Sequence, residues 1–419
     1  MAAAPITGDA PVLFLSNNFP PEVNALANRT WEHARQWSSA GGQVAVIAGP
    51  PHFPEGRVYD GYRNALTRET FEGVEVLRVP MYVHPNEGFL RRTLSYVSYM
   101  VSAALFSGRT KFEPGVVAAS SPQFFAGLAG NLVSRWMGLP FVLEIRDLWP
   151  ESIVDVGAMK RGVLVSALER IESFLYRSAD QIVVVSPAFR DHIEARGVPA
   201  DRITVLPNGI DVDWFAESIP AAEVMELKKE LEVEGRFIAS YIGTVGMAHG
   251  VGVMLEAARA CPDPDVVFVV VGPGAGSRAL RDEADALGLT NVRIIEKQPR
   301  ERIRSYYAMS DVSVVHLRDL PAFRKVIPSK MFESMAMRRP LILGVAGQAA
   351  DILEAAGAGV SMRPEDAGSL IEAVLRLKED PILRERFASN GETYVRANFD
   401  RREIARRYWQ LLQEVAARA

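Results

Sequence analysis

The sequence contains little of the chemistry that marks several classes of protein. Cys261 is the only cysteine in 419 residues, which excludes a disulfide framework and a site built from several thiolates. The six histidines show no HExxH spacing of the kind that holds a catalytic zinc ion. Lys and Arg number 47 against 51 Asp and Glu, so no broadly basic surface is expected to recruit nucleic acid. We therefore expect neither a bound metal nor a nucleic-acid partner.

Long apolar runs are also lacking. The first residues, MAAAPITGDAPVLFLS, have neither the basic n-region nor the extended apolar core of a secretory signal. The most apolar stretch, Phe89–Lys111, has a centre shorter than the roughly 20 residues of a membrane-spanning helix, and arginines flank it at 91, 92 and 109. Two interpretations stay open: a buried helix with solvated ends, or a helix lying in a membrane interface near anionic head groups. In either case the segment is predicted not to span.

The chain does contain a regular alternation of short apolar, β-branched runs and helical stretches. The first half has predicted strands at Pro11–Ser16, Gln43–Ala48, Val74–Val79, Gly115–Ser120, Pro140–Ile145 and Gln181–Ser186. The second half has them at Arg236–Ile242, Val266–Gly272, Val292–Glu296, Asp311–His316 and Pro340–Gly344. Fully apolar strands separated by helices indicate parallel sheets that are covered on both faces. The sequence therefore predicts two doubly wound α/β domains with ligands at the carboxyl ends of the strands.

A Pro-Asn-Gly turn within Leu206–Phe215 marks the predicted seam between the domains. We assign residues 1–206 to an N-terminal domain, 207–398 to a C-terminal domain and 399–419 to a C-terminal helix. The charged run Glu223–Glu234 is interpreted as a solvated helix that follows the linker. The last helix carries an apolar stripe, which we expect to pack back across the N-terminal domain.

Two glycine-rich turns follow strands of the second half. Gly243-Thr244-Val-Gly246 leads on to His249 and a helix, and Gly272-Pro-Gly274 follows the next strand. Glycine lets a backbone approach a ligand closely, and amides at a helix start attract phosphate, although a plain strand–helix connection explains either turn equally well. Neither turn matches the dinucleotide fingerprint or the Walker lysine motif, so nicotinamide and P-loop sites are disfavoured.

Two further clusters carry charged groups at positions suited to a ligand. Pro328 and Ser329 mark a helix start, with Lys330 and Glu333 one turn apart on one face. A lysine there can neutralise a diphosphate and a carboxylate can accept bonds from ribose hydroxyls, but an exposed ion pair is an equally ordinary interpretation. The second cluster, EIRDLWPE at 144–151, puts three carboxylates and an arginine at the end of a strand, where a doubly wound sheet places its site.

Several motifs resemble those of the large retaining glycosyltransferase family 4. They are FPPEVNALANR, the hinge PNGID at 207–211 and the helix PSKMFESMA. The phrases PPHFPEGRVYDGYRN, EIRDLWPES and VIPSKMFESMAMRRPLILG are similar to the bacterial branch that builds O-antigen, colanic-acid and capsular polysaccharides, including transferases of N-acetylated amino sugars. The resemblance runs from Pro11 to about Arg401. It implies the GT-B fold, in which two Rossmann-like domains face a central cleft.

The resemblance also implies a nucleotide-sugar donor, with UDP favoured over GDP, held by the C-terminal domain. Glu333 matches the second of the family's paired glutamates and is expected at the ribose, whereas the first falls at Lys325, which cannot accept hydroxyl bonds. Lys330 is the candidate for stabilising the departing diphosphate. The donor-binding set implied in this way is Gly243, Thr244, Gly246, His249, Gly272, Lys325, Ser329, Lys330 and Glu333.

In the N-terminal domain, Arg146 and Asp147 stand where the family commonly has His-Asp, and we take them with Lys330 and Glu333 as candidate catalytic residues. The implied reaction retains the anomeric configuration and needs no metal, no other cofactor and no protein nucleophile. The implied acceptor is a polyprenyl-diphosphate-linked saccharide. The protein is expected in the cytoplasm, peripheral on the inner face of the plasma membrane, with Phe89–Lys111 as the segment that meets the lipid.

Two other functions remain open at this point. A noncatalytic relative that only binds a nucleotide-sugar would explain the departures at Lys325 and Arg146. A nonhydrolysing UDP-sugar epimerase would share the two-domain architecture, but it would need a carboxylate and histidine set facing one nucleotide-sugar.

Overall fold

The computed structural model describes residues 10–53, 55–85, 89–121, 124–151, 162–274 and 276–418. The chain divides into two compact units. The first unit extends to Asn208 and includes the C-terminal segment from Arg402, and the second unit is Gly209–Arg401. The sequence-based seam after residue 206 thus lies two residues before the boundary between the units.

The first unit is built on an eight-stranded sheet. Its strands are β1 (Val12–Leu15), β2 (Val44–Ala48), β3 (Thr67–Phe71), β4 (Val74–Arg78), β5 (Val116–Ser120), β6 (Phe141–Ile145), β7 (Gln181–Val184) and β8 (Ile203–Val205), in the order β3-β4-β2-β1-β5-β6-β7-β8. All neighbours pair in parallel except β3 and β4, which form an antiparallel hairpin. Glu72 and Gly73, the two residues of its turn, have φ angles of 47° and 86°. Two left-handed residues give the turn whose twist suits a two-residue hairpin loop.

Helices cover both faces of this sheet. They are α1 (Ala25–Ser39), α2 (Phe89–Phe106), α3 (Phe124–Met137), α4 (Val163–Ser178), α5 (Pro187–Glu194) and, at the end of the chain, α15 (Arg401–Ala417). One apolar core includes Tyr99 and Val133 from α2 and α3, and the other includes Trp37 and Trp409 from α1 and α15. The indole nitrogen of Trp37 donates to the carbonyl oxygen of Ala405 at 2.7 Å, so α15 is attached to α1 within the first unit.

The second unit repeats the plan with an entirely parallel six-stranded sheet. Its strands are β9 (Phe237–Ile242), β10 (Val266–Val271), β11 (Val292–Ile295), β12 (Val312–His316), β13 (Leu341–Gly344) and β14 (Gly359–Ser361), in the order β11-β10-β9-β12-β13-β14. The helices are α6 (Val212–Ala216), α7 (Ala221–Glu230), α8 (Gly252–Ala260), α9 (Ser277–Ala286), α10 (Arg300–Met309), α11 (Lys330–Ala336), α12 (Gln348–Ala356), α13 (Ala367–Glu379) and α14 (Pro381–Asn398). An apolar core lies on each face of the sheet. The predicted α/β class, with two Rossmann-like domains, is confirmed.

Some predicted boundaries were wrong for local reasons. The strand predicted at Gln181–Ser186 ends at Val184 because the Ser186 side chain caps α5, whose first residue is Pro187. The helix predicted at Glu223–Glu234 is Ala221–Glu230, and Glu232 beyond it has a φ of 54°, which no right-handed helix allows.

The apolar segment predicted from Phe89 forms α2 and then a single 3-10 turn, Ser107–Arg109. Tyr99 on its inner face is fully buried and donates from its hydroxyl to the carbonyl of Ile47 at 2.8 Å. Leu94, Val101 and Leu105 lie on the outer face and are exposed. Among the described residues, no helix has the length and apolar character needed to cross a membrane.

Candidate functional site

In the second unit, the two predicted glycine turns lie side by side at the carboxyl ends of β9 and β10. The amide of Gly243 donates to the carbonyl of Val271 at 2.7 Å, and that of Val245 donates to Pro273 at 2.8 Å. Gly243 and Gly272 have φ angles of 143° and 145°. A Cβ on Gly272 would lie 2.1 Å from the carbonyl oxygen of Gly243, so only glycine fits there. The close approach of the two backbones forms the edge of the site.

Lys330 brings a cation to this edge from the first position of α11. A Cβ on Gly243 would lie only 2.2 Å from Cε of Lys330, so the lysine side chain occupies the space that the glycine leaves. Its ammonium donates to the hydroxyl of Tyr241 at 2.5 Å. Burial lowers the pKa of Lys330 to about 8, with the Glu333 carboxylate opposing the shift. The group is therefore mainly cationic at neutral pH and lies against the backbone of Gly243.

Glu333 lies one turn further along α11. The hydroxyl of Tyr307, which is fully buried on α10, donates to its carboxylate at 3.0 Å. Burial raises the pKa of Glu333, while the Tyr307 hydrogen bond and the Lys330 charge act in the opposite direction. The structure thus brings Lys330 and Glu333 together as a cation and an acceptor on one face of a short helix, as the spacing predicted.

Two further residues of the first glycine turn, Thr244 and His249, contribute a backbone carbonyl and an uncharged imidazole ring. Thr244 is exposed, and its carbonyl accepts a bond from the Tyr241 hydroxyl at 2.7 Å. The amide of His249 donates to the carbonyl of Gly246 at 2.9 Å. Burial and the nearby Lys330 charge lower the pKa of His249 to about 4. At neutral pH His249 is therefore uncharged, and its buried Nδ1 has no hydrogen-bond partner among the described residues.

Lys325 and Ser329 lie before α11. Lys325 ends a 3-10 helix, Pro321–Lys325, and is exposed. Ser329 is also exposed, and its side chain makes no capping hydrogen bond to α11. A Cβ on Gly347, just before α12, would lie 2.2 Å from the carbonyl of Arg324, so this 3-10 helix packs closely on the start of α12. The backbone carbonyl of Ser329 accepts from the amide of Glu333 at 3.3 Å, which is a contact of the first turn of α11 and not of the Ser329 side chain.

In the first unit, the predicted cluster at the end of β6 is organised around a buried carboxylate. Glu144 accepts from Arg29 Nε at 2.9 Å and from the Ser120 hydroxyl at 2.6 Å. Burial raises its pKa, but Arg29, Arg146 and Ser120 outweigh that effect and the net pKa is lowered. The sequence did not indicate that Arg29 pairs with Glu144, since the two lie 115 residues apart and no local pattern joins them.

Arg146 and Asp147, the predicted catalytic pair of this unit, have different surroundings. Burial lowers the pKa of Arg146 to about 10, with Glu144 opposing the shift, so its guanidinium stays charged at neutral pH. Asp147 lines a cavity of about 10 Å³ with Trp149 and Glu172, which has room for about one water molecule. Burial raises the pKa of Glu172 to about 7, which makes it a titratable neighbour of Asp147 that the sequence did not indicate.

The polar loop after β1 is mainly structural. The Glu22 carboxylate accepts bonds from the Asn18 amide group and from the backbone amides of Phe19, His52 and Phe53. Such a set of donors fixes the loop on the turn that follows β2. Within the part of the chain that the structure describes, no group of three or more His, Cys, Asp or Glu side chains is arranged to hold a metal ion.

Comparison with known proteins adds to this geometry. Residues 24–209 match the family described as glycosyl transferase 4-like domain, and residues 225–394 match glycosyl transferases group 1. The chain is 24% identical to the putative colanic acid biosynthesis glycosyl transferase WcaI of Escherichia coli K12, over 95% of this chain and 98% of that protein. It is 25% identical to the probable glycosyltransferase WbjE of Pseudomonas aeruginosa, over 67% of this chain and 69% of that protein.

A solved structure shares the fold. The crystal structure of Anabaena HepE in complex with UDP is similar with a TM-score of 0.70 at 17% identity, covering 96% of this chain and 100% of that chain. The fold and the sequence matches together define a glycosyltransferase of the GT-B type. The chain belongs to glycosyltransferase family 4, with a glycosyl transferase 4-like domain followed by a group 1 domain.

Proposed function

We propose that this glycosyltransferase moves a sugar from a UDP-sugar to a lipid-linked saccharide in the synthesis of a surface polysaccharide. The observation that carries the proposal is the position of Lys330 against the backbone of Gly243, with Glu333 one turn further along α11. A partly buried cation beside a glycine backbone suits a diphosphate, and a nearby carboxylate suits the hydroxyls of a ribose. The similar HepE structure contains UDP, which supports a uridine nucleotide as the donor.

The chemistry follows from these groups. As the bond between sugar and diphosphate breaks, negative charge grows on the leaving UDP oxygen. Lys330 is the group that would stabilise it, because its side chain lies against the backbone of Gly243. We propose that the acceptor hydroxyl attacks from the face that the diphosphate leaves and gives its proton to the departing phosphate oxygen. The configuration is then retained without a protein nucleophile or a metal. Arg146 in the first unit, charged at neutral pH, is a candidate to bind an acceptor or donor phosphate.

The polysaccharide assignment rests on relatives. WcaI carries colanic acid biosynthesis in its name, and a protein described as putative teichuronic acid biosynthesis glycosyltransferase TuaC of Bacillus subtilis is 24% identical over 66% of this chain. We propose an N-acetylated amino sugar as the transferred group and a polyprenyl-diphosphate-linked saccharide as the acceptor.

An enzyme with a lipid-linked acceptor must reach that acceptor at a membrane surface. The first unit has a face that suits membrane contact. The outer sides of α2, α3 and α4, which pack in that order, expose Leu94, Val101, Leu105, Leu132, Trp136, Ile171 and Phe174. The same helices carry five arginines, Arg91, Arg92, Arg135, Arg170 and Arg177, against two glutamates, Glu169 and Glu172. Apolar side chains with an excess of positive charge suit an anionic membrane surface. We propose that this apolar helical face holds the enzyme on the cytoplasmic leaflet.

The test is transfer itself. The protein is incubated with radiolabelled UDP-N-acetylglucosamine and with polyprenyl-diphosphate-linked N-acetylglucosamine, and the lipid product is separated and counted. We expect label in the lipid fraction, with the anomeric configuration of the donor by NMR, and its loss in Lys330→Met. If other UDP-sugars and lipid-linked acceptors also give no labelled lipid, although UDP binds, the chain is a nucleotide-binding relative without transferase activity.

A further inference from the structure

The two functional side chains of α11 are each held by a tyrosine from a different element. The Lys330 ammonium donates to the hydroxyl of Tyr241 on β9, and the Glu333 carboxylate accepts from the hydroxyl of Tyr307 on α10. Both tyrosines are fully buried. We infer that Tyr241 and Tyr307 are positioning residues that set the diphosphate-binding and the ribose-binding ends of the donor site independently. The inference rests on the proposed function of that site.

The hydroxyl of Tyr241 links the Lys330 ammonium to the backbone of the glycine turn. Its hydroxyl accepts from Lys330 and donates to the carbonyl of Thr244 at 2.7 Å, so both the donor and an acceptor capacity of the phenol are used. The Lys330 nitrogen also lies 4.1 Å from the centre of the Tyr241 ring. A lysine side chain has four rotatable bonds, and ordering it has an entropic cost that a ligand would otherwise have to offset. The tyrosine therefore places the ammonium at Gly243 before a diphosphate arrives.

Tyr307 positions the carboxylate of Glu333 in a similar way. Its single hydroxyl donates to one oxygen of Glu333 and leaves the other oxygen available to a ligand hydroxyl. The hydrogen bond also favours the ionised form of a group whose pKa burial raises. An ionised carboxylate is the stronger acceptor for a ribose hydroxyl.

Tyr241 lies on β9 and Tyr307 on α10, and in the part of the chain that the structure describes their hydroxyls bond to different side chains of α11. Removing one hydroxyl should therefore affect one half of the nucleotide. Around the Lys330 ammonium the charged or titratable neighbours are Glu333 on the same helix, Tyr241 on β9, His249 in the glycine turn and His316 on β12. Both histidine pKa values are lowered by burial, so neither ring competes with Lys330 for a phosphate at neutral pH.

The test compares UDP with uridine, which lacks the diphosphate. Binding of both ligands is measured by calorimetry and by ligand-observed NMR for the unaltered protein, Tyr241→Phe and Tyr307→Phe. The control is Tyr306→Phe, because Tyr306 is the adjacent buried tyrosine of α10 and its charged neighbours are Arg302 and Glu230. Each change removes one oxygen from a buried ring and keeps its shape.

We expect Tyr241→Phe to weaken UDP binding about tenfold while uridine binding changes less than about twofold, as suits one hydrogen bond to a charged group. Tyr307→Phe should weaken both ligands by the same factor, and Tyr306→Phe neither. A second readout separates positioning from loss of packing. Above neutral pH the UDP affinity should fall with a midpoint near 8 as Lys330 loses its proton, and Tyr241→Phe should move the midpoint lower, because the ammonium loses an acceptor.

The outcomes are distinguishable. If UDP binds the unaltered protein but Tyr241→Phe weakens UDP and uridine equally, or changes neither, the inference is overturned while the donor site stands. If the unaltered protein binds no UDP, both the inference and the proposed function fail.

Discussion

The guanidinium of Arg29 meets the carboxylate of Glu144 at 2.9 Å, and each side chain is at least 93% buried, with 7% and 1% exposed. The same guanidinium donates to the carbonyls of Leu206 and Pro207, where the chain leaves β8. One arginine therefore joins α1, the carboxyl end of β6 and the last residues before the second unit. The pair also sets the charge beside Arg146, because Glu144 is the main group that favours its cationic form.

Breaking this pair should destabilise the first unit. Either Arg29→Met or Glu144→Leu removes one partner of a buried ion pair, which costs about 3–5 kcal/mol in free energy of unfolding. The double variant should be more stable than either single one. Urea denaturation followed by tryptophan fluorescence measures the difference. Arg190→Ala, in the exposed pair of Arg190 and Glu194, is the control and should change stability by less than about 0.5 kcal/mol. Additive single effects would show that Arg29 and Glu144 do not interact energetically.

Lys330 should lower the free energy of unfolding, because the position that we propose for ligand binding buries its charge. Its folded pKa of about 8 lies below the usual 10.5, so folding disfavours the charged form and the unfolded chain binds more protons between these values. Lys330→Met should therefore raise the free energy of unfolding at pH 7 by about 1–3 kcal/mol while abolishing UDP binding. Stability of the unaltered protein should also rise between pH 8 and 10.5 relative to Lys330→Met. Loss of stability in Lys330→Met at pH 7 would contradict this account of the burial.

Gly243 should not tolerate a side chain. In Gly243→Ala the new Cβ meets Lys330 Cε, and the φ of 143° is one that L residues rarely adopt. We expect a destabilisation of about 1–3 kcal/mol and weaker UDP binding. Gly252→Ala is the matched control, because that glycine begins α8 and has open space around its Cβ position. The control should be neutral or slightly stabilising in thermal denaturation. Equal effects of the two substitutions would contradict a close approach of Lys330 to the backbone of Gly243.

The apolar helical face should bind anionic lipid. Arg91→Glu with Arg92→Glu reverses two charges at the start of α2 and should reduce flotation with phosphatidylglycerol vesicles several-fold, more at low salt. Lys228→Glu with Lys229→Glu makes the same charge change on α7 of the second unit and should leave flotation unaltered. Trp136→Ser tests the apolar contribution, since 68% of that side chain is exposed. Equal flotation of all variants would defeat the proposal that this face meets the membrane.

The sequence predicted those parts of the fold whose signal is local. Continuous apolar runs such as Val266–Val271 are visible as buried strands, because parallel strands covered on both faces have no polar side. The strand Thr67–Phe71 was not predicted, since TRETF is an exposed edge strand without apolar alternation. β14, Gly359–Ser361, is too short to produce a pattern.

Local features of the sequence also indicated part of the candidate site. The glycine turns and the Lys330 and Glu333 spacing are local features, and the structure brings Lys330 onto the turn at Gly243. Tyr241 and Tyr307 could not be predicted from local sequence features. An aromatic residue within a strand or helix is expected to be a core residue until the partner of its hydroxyl is known. Arg29 and Glu144 likewise meet only through the fold.

The most direct test of the donor site is a thermal-shift titration with UDP, GDP and TDP on the unaltered protein and on Glu333→Ala. A ligand that binds only the folded state raises the melting temperature by mass action. We predict a shift that is largest with UDP and is lost in Glu333→Ala. No shift with any of the three nucleotides, or a UDP shift that Glu333→Ala leaves unchanged, would contradict it.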